Sequence, residues 1–334
     1  MSGEPALAGS RRWLVTGGAG FIGSHLVHRL VELGQRVRVL DDLSSGQRTN
    51  LPQDACELME GDVRDAAVVG RAMAGVELVL HQAGLGSVPR SLADPVRTME
   101  VNARGTWTVL QAALEAGCER VVLASSSSVY GDSDELPHVE EHIGRPLSPY
   151  AASKRIAELA AEGLARGLGL STVALRYFNV FGPRQDPGGP YAAVIPRWCA
   201  ALIAGQPPEI HGDGRTTRDF TPVAAVVEAN LRAALNADVP AGVVVNVGTG
   251  RETSLSELLA TLRELCAEAG LPGAEVGARR SPVRANERGA GRTRRVRGSS
   301  SVSDPTPVTS TSCRDCDGRW KRSFQPVDSS LVHS

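Results

Sequence analysis

Lysine is almost absent from this chain. Of 36 basic residues among 334, only Lys154 and Lys321 are lysine and the rest are arginine. An excess of charge of either sign is also missing, since 37 acidic residues leave a net charge of -1. That removes any global electrostatic reason to expect nucleic acid or an anionic membrane as a partner. No run approaches the roughly 18–20 apolar residues of a membrane span, and the opening MSGEPALAGS lacks the apolar segment of a signal peptide. Cysteines occur only at 56, 118, 199, 266, 313 and 316, too scattered for a disulfide framework. The expected setting is therefore a reducing cytoplasm.

What is present is a 42% hydrophobic composition, enough to fill a large α/β domain and a smaller one. Short apolar runs alternate with amphipathic stretches, the βαβ pattern of a doubly wound parallel sheet. The expected strands are Trp13–Thr16, Val37–Leu40 ending on Asp41, a short one before Gly61, Val76–Leu80, Val121–Ala124 and Thr172–Leu175. Helices are expected over Phe21–Leu33, about 94–116 and 149–166, the last begun by a Ser148 cap and Pro149. After Tyr177 the texture changes. A Gly/Pro-rich loop over Phe181–Pro190 leads to helices over Ala192–Ala204, Pro222–Leu235 and Ser254–Ala269, with a strand at Val243–Val247. This predicts a Rossmann domain over 11–176, completed by about 221–247, and a substrate lobe from 177–220 and 248–278.

Gly17-Gly18-Ala19-Gly20-Phe21-Ile22-Gly23 follows a strand and opens a helix, the context a dinucleotide diphosphate needs. Gly17 permits the tight turn, Gly20 lets the backbone approach the diphosphate, and Gly23 lets the helix pack on the strand. Asp41, about 20 residues on, would accept from the ribose hydroxyls and repel a 2′-phosphate, which favours NAD over NADP. Gly61-Asp62-Val63 would place Asp62 and Val63 at the adenine.

Tyr150 and Lys154 lie four apart on one helical face. A free phenol titrates near 10, and a neighbouring ammonium with the positive nicotinamide would favour its phenolate. In a chain that uses arginine almost everywhere, a lysine here is not an interchangeable surface charge. The serine run Ser125–Ser128 ends a strand upstream, and one of its hydroxyls can hold the reacting oxygen.

GGAGFIG, ASSSSVYG and YAASK resemble the extended short-chain dehydrogenase/reductase family. HQAGLGSVPRS (81–91), PLSPY (146–150), LRYFNVFG (175–182), QDP (185–187), YAAVIP (191–196), GDG (212–214) and RDF (218–220) resemble its bacterial UDP-N-acetylglucosamine 4-epimerases, over roughly residues 11–278. The resemblance implies tightly bound NAD, a UDP-sugar substrate, a homodimer through the helices near 94–116 and 149–166, and a place in polysaccharide biosynthesis. It implies reversible oxidation at sugar C4. Tyr150 takes the 4-OH proton, Ser126 holds the oxygen with help from Ser127, and the 4-keto sugar turns to regain hydride on its other face. Gln82, Ala83, Gly84, Asn102 and Tyr177 would join Phe21, Ile22, Tyr150 and Lys154 around the cofactor. Gly86 and Ser87 would border the sugar, with Asn179 at the diphosphate, Gln185 and Ala193 on the sugar or uridine side, and Arg218 on the phosphates.

Three alternatives follow from the same residues. Dehydratases of this family carry an Asp-Glu pair where Ser127 and Ser128 stand, which disfavours dehydration. Uronate epimerases and decarboxylases need a cradle for a carboxylate, and Arg90 keeps that option open. A non-catalytic NAD-binding protein would normally lose the Tyr, Lys and Ser set. No metal site is expected, and Cys313-x-x-Cys316 has no second pair to complete one.

From Arg279 the family pattern stops. Residues 279–297 hold eight arginines against Glu287, and 299–312 is a Ser/Thr/Pro run. The whole of 279–334 reads as disordered by composition. One hypothesis is a change of reading frame near Arg288, since 299–305 read one base out of phase can give Leu-Leu-Leu-Gly-Phe-Arg-Pro. Arg288 would then be the last family-like phosphate ligand, and sequencing the gene decides it.

Overall fold

A computed structural model describes residues 9–188 and 191–282. The first half alternates strand and helix: β1 (Arg12–Thr16), α1 (Phe21–Glu32), β2 (Arg36–Asp41), β3 (Glu57–Glu60), α2 (Ala66–Met73) and β4 (Leu78–His81). There follow α3 (Val88–Ala93), α4 (Pro95–Met99), a π-helical stretch at Glu100–Arg104, α5 (Gly105–Glu115), β5 (Arg120–Ser126), α6 (Pro149–Leu168) and β6 (Thr172–Tyr177). From Pro95 to Glu115, α4, the π-helical stretch and α5 run on without a gap, the one helix that periodicity reads over about 94–116, and Pro95 stands at its first position.

The second half holds β7 (Val180–Phe181), α7 (Val194–Ile203), β8 (Glu209–His211), β9 (Thr217–Arg218), β10 (Thr221–Pro222) and α8 (Val223–Leu235). It ends with β11 (Val243–Val247), β12 (Thr253–Ser254), α9 (Leu255–Glu268) and β13 (Arg279–Ser281).

Seven strands form one parallel sheet in the order β11-β6-β5-β4-β1-β2-β3. Parallel strands with helices on both faces are buried on both sides, so β1, β4 and β6 read as near-continuous apolar runs. One core lies between the sheet and α1 and α8, built from Leu26, Leu30, Val226 and Leu231. The opposite core uses Val69, Val109, Leu110, Ala157 and Ala161. A separate cluster of Ile195, Trp198, Leu202, Ile210, Leu258 and Leu259 packs α7 against α9. The strand order reverses between β1 and β4, so a ligand crevice opens at their carboxyl ends.

One expectation is corrected. Arg279–Ser281, read from composition as the start of a disordered tail, forms β13 and pairs in parallel with β8. Arg279 N–H donates to the Pro208 carbonyl at 2.9 Å, and Gly212 N–H donates to the Ser281 carbonyl at 2.8 Å. A two-stranded edge is held by backbone groups, so it needs no apolar alternation in its side chains. Residues 283–334, with Arg288, Cys313, Cys316 and the frame-change hypothesis, lie outside the described residues.

Candidate active site

The glycine turn between β1 and α1 admits no side chains at two positions. A Cβ on Gly17, whose φ is +66°, would stand 2.7 Å from the backbone of Ala83. One on Gly23 would stand 2.1 Å from the Gly17 carbonyl oxygen. The turn, the helix and the Gln82–Ala83 segment therefore meet backbone to backbone. Gly20 caps α1 without a side-chain acceptor, and the first turn carries no acidic residue. Its N–H groups are left for an anion.

Asp41 closes β2. Its Oδ2 accepts from Ala19 N–H at 2.9 Å and its Oδ1 accepts from Leu43 N–H at 2.9 Å. These bonds fix the carboxylate beside the turn, while burial pushes its pKa up from the ordinary value. An uncapped helix start, a glycine cradle and a fixed carboxylate fit the diphosphate and ribose of NAD. Asp62 sits one strand further out and is chelated by Arg64, with Nη2 to Oδ2 at 2.6 Å; Arg64 also pairs with Glu100. The guanidinium holds the Asp62 carboxyl below its ordinary pKa. Val63 is buried, with its side chain against Gly105.

Behind the 82–87 loop runs a directed chain of hydrogen bonds. Thr106 Oγ1 donates to the Asn102 carbonyl at 2.5 Å, so the His81 Nε2–H donates to Thr106 at 2.9 Å. His81 Nδ1 then accepts from Thr16 Oγ1 at 2.7 Å. Burial keeps this imidazole neutral, with its pKa lowered to about 3. Asn102 Oδ1 accepts from Leu85 N–H at 2.7 Å, and its Nδ2 donates to the Leu85 carbonyl and to Ser153 Oγ, both at 3.0 Å. Ser153 Oγ donates to the Tyr150 carbonyl at 2.8 Å. Asn102 thus shapes the loop from behind, tying it to the helix that carries Tyr150. Gln82 and Tyr177 are joined at 3.1 Å, both bound to buried Asn230. Burial raises the Tyr177 phenol to about 12, so it acts as a neutral strut.

The α6 helix starts where the sequence places it, with Ser148 Oγ accepting from Ala151 N–H at 3.1 Å ahead of Pro149. Its first turn carries Tyr150 to Ser126 at the end of β5, close enough for that hydroxyl to favour the phenolate. Ser126 Oγ also accepts from Ser128 N–H at 3.2 Å, while Ser127 opens a short 3₁₀ turn. Lys154, one turn on, donates from Nζ to the Ala124 carbonyl at 2.8 Å. Gly84 lies beside it, where a Cβ would stand 3.4 Å from Nζ. Burial lowers the Lys154 ammonium to about 8, opposed by Glu158. The same burial raises the Tyr150 phenol above its ordinary value, with only the Ser126 hydroxyl opposing it. Residue spacing assigns the lowering of that phenol to Lys154 together with the nicotinamide. In the protein alone burial wins, and the positive charge of the bound ring has to reverse it.

On the substrate side, Ser87 takes φ +88° to cap α3, and Gly86 has open space where a Cβ would stand. Arg90 rests over the Tyr191 ring at 5.4 Å. Asn179 Nδ2 donates to the Asp219 carbonyl at 3.1 Å. Gln185 donates to the Val180 carbonyl at 3.1 Å, and its buried Oε1 has no partner among the described residues. Ala193 is exposed at the start of α7, which has no side-chain cap. Arg218 lies on β9, paired with β12, and donates to the Thr217 carbonyl at 2.9 Å.

Several contributors escape sequence reading. Asp219 stands inside the Arg-Asp-Phe motif and is fully buried. It accepts from Thr249 N–H at 3.0 Å, Thr249 Oγ1 at 2.8 Å and Gly250 N–H at 2.8 Å. It clamps the turn after β11 onto the strand that carries Arg218. Asp219→Ala leaves those donors unpaired and is expected to cost about 3 kcal/mol, read as a lower midpoint in urea unfolding. Arg184, at φ +65°, donates from Nε to Ser24 Oγ at 3.0 Å and docks the 181–184 loop on α1. Neither residue has a spacing signal, because each acts on a partner distant in the chain.

A parallel sheet in this order, an uncapped glycine turn at its switch point, and a Ser–Tyr–Lys set define a dinucleotide-dependent α/β enzyme. The chain belongs to the NAD dependent epimerase/dehydratase family, whose model matches residues 13–248, and NAD is its cofactor. It is 43% identical over 253 residues to a UDP-glucose 4-epimerase of Mycolicibacterium smegmatis, covering 74% of this chain and 80% of that one. Among solved structures, the UDP-glucose 4-epimerase of Thermotoga maritima with UDP-glucose superposes with a TM-score of 0.78 and 35% identity. That match covers 86% of this chain and 89% of that one. The UDP-N-acetylglucosamine 4-epimerase of Methanobrevibacter ruminantium, in complex with UDP-N-acetylmuramic acid, gives 0.83 and 31%, covering 95% and 100%.

Proposed function

We propose that this protein interconverts the C4 epimers of a UDP-hexose. The observation that carries the reading is the meeting of Tyr150 with Ser126 at the end of β5, with Lys154 one turn away on the same helix. Bound NAD supplies the hydride acceptor. Tyr150 Oη takes the proton of the 4-hydroxyl and later returns one, and Ser126 Oγ, with Ser127, keeps that oxygen in line. Gly86 and Ser87 border the sugar, Asn179 and Arg218 the diphosphate, and Gln185 and Ala193 the sugar or uridine side.

Open space at Gly86 supports the acceptance of an N-acetylated sugar as well as a plain one. Arg90 rests on the Tyr191 ring, so a neutral hexose leaves this guanidinium with a partner. Purified protein is incubated with UDP-GlcNAc, UDP-Glc and UDP-GlcA, and C4 inversion is followed. Inversion of the two neutral sugars is expected; failure with all three, NAD being bound, ends this reading.

A homodimer through the helices near 94–116 and 149–166, α4–α6, is part of the same proposal. These helices leave Val96, Trp107, Ile156 and Leu159 exposed, Val96 at 69%. Light scattering is expected to give a dimer, and Val96→Asp combined with Leu159→Asp a monomer. A wild-type monomer overturns it. No helix among the described residues is long and apolar enough to cross a membrane. Cys56, Cys118, Cys199 and Cys266 are all free thiols, which supports placing the enzyme in the cytoplasm.

A further inference from the structure

Glu158 follows Lys154 by one turn of α6 and is 1% exposed. An isolated carboxylate at that depth would be strongly disfavoured, yet four donors hold it. Arg176, also 1% exposed, grips both oxygens, Nε to Oε1 at 2.9 Å and Nη2 to Oε2 at 3.0 Å. Arg155 Nη1 reaches Oε2 at 3.0 Å, and Ser125 Oγ donates to Oε1 at 2.5 Å. Arg176 is fixed in turn by the Tyr130 hydroxyl at 3.1 Å and the Glu140 carbonyl at 2.9 Å. The pair is thus a rigid anion mount on which neither partner can turn away.

Ser125 and Ser126 are neighbours at the end of β5. Ser125 is bonded to Glu158, while Ser126 faces Tyr150. Lys154 donates to the carbonyl of Ala124, the residue just before them. Three successive residues of one strand therefore meet Lys154, Glu158 and Tyr150. The titratable and charged groups around Lys154 are Tyr150 and Glu158 on its own helix, Arg155 and Arg176 on the far side of that carboxylate, and His81 from β4. His81 is neutral, so Glu158 supplies the negative charge.

We infer that Glu158 is a positioning residue of this site, whose carboxylate, mounted on Arg176, keeps the buried Lys154 ammonium charged. The inference rests on Lys154 being the ammonium of the proposed reaction. Its chemistry is plain electrostatics. A cation moved out of water loses hydration, and an anion one helical turn away restores part of the balance. Without the anion, Lys154 gives up its proton at a lower pH, and the charge that favours the phenolate disappears from the working range.

The near absence of lysine makes this measurable without substrate. Lys154 and Lys321 are the only lysines, so [13Cε]lysine labelling gives two resonances, which Lys321→Arg assigns. The NAD-loaded protein is titrated from neutral to alkaline pH. In Glu158→Gln the Lys154 midpoint is expected about one pH unit below that of the wild type. Ser125→Ala removes a hydrogen bond but keeps the anion, so its midpoint stays in place. An unmoved midpoint in Glu158→Gln overturns the inference, and so does an equal shift in both variants, which would trace the effect to the strand.

Should Glu158→Gln fail to fold with Arg176 left unpaired, Glu158→Gln with Arg176→Met replaces the ion pair by an uncharged one. A smaller downward shift is expected of it, because the cation removed with the anion lies farther from Lys154, and no shift counts against the inference. In turnover, the alkaline limb of kcat follows the midpoint, whereas a purely structural defect lowers kcat at every pH. Wild-type protein that inverts no UDP-sugar would end the proposed function and leave the titration result standing.

Discussion

Tyr150→Phe is expected to cut UDP-hexose turnover by about a thousandfold or more while leaving NAD bound, because proton transfer by a positioned group contributes about 10²–10⁴. The phenol hydroxyl is the one atom lost. The ring keeps its place, since Ser148, Pro149 and Ser153 set the backbone of that turn. Ser126 keeps its bond from Ser128 N–H. The change therefore separates chemistry from architecture. NAD content, read from the absorbance of the released nucleotide, should match the wild type, and the melting temperature should move little. Burial raises this phenol in the protein alone, so the residue does not act as a free base. It depends on the bound nicotinamide and on Lys154, and a variant without the hydroxyl has no second group to take the proton. Normal turnover in Tyr150→Phe would sink the mechanism.

Gly23→Ala is the second large effect, and it acts one level lower. The added methyl would stand 2.1 Å from the Gly17 carbonyl oxygen and 2.8 Å from the Gly17 carbonyl carbon and the Gly18 Cα. All three are backbone atoms, so no side chain can swing aside. Relief requires α1 to move away from the end of β1. That movement opens the packing of Leu26 and Leu30 on the sheet and draws the uncapped helix start away from the diphosphate. A loss of about 3 kcal/mol or more is expected, in the range of overpacked buried sites. Protein purified without NAD, and a lowered unfolding midpoint, are the measurements. Gly163 on α6 is the control: nothing lies within 4 Å of its Cβ position, and Ala there should be neutral or stabilising. Retention of a full complement of NAD by Gly23→Ala would show that the turn yields more easily than its geometry allows.

The alternation of apolar runs and amphipathic stretches dictates a parallel sheet, because strands buried on both faces and helices buried on one leave different periods in the chain. The glycine turn, Asp41 at the end of β2, and Tyr150 and Lys154 on one helical face are local features, fixed by neighbours a few residues away. They can be read before any coordinate is known. Distant partners have no such spacing. Only the folded chain brings Arg176 on β6 to Glu158 on α6, or joins Thr16, His81, Thr106 and Asn102 into one chain of hydrogen bonds. Only the folded chain makes Asp219 the clamp for the turn at Thr249 and Gly250, and gives Arg279–Ser281 a strand to pair with. The sequence by itself determined the architecture and the elements on which the candidate reacting residues lie, since short-range sterics and periodicity encode both. The tertiary structure decided which buried charges support those residues and how the phenol is tuned, since desolvation and ion pairing depend on neighbours that meet only after folding.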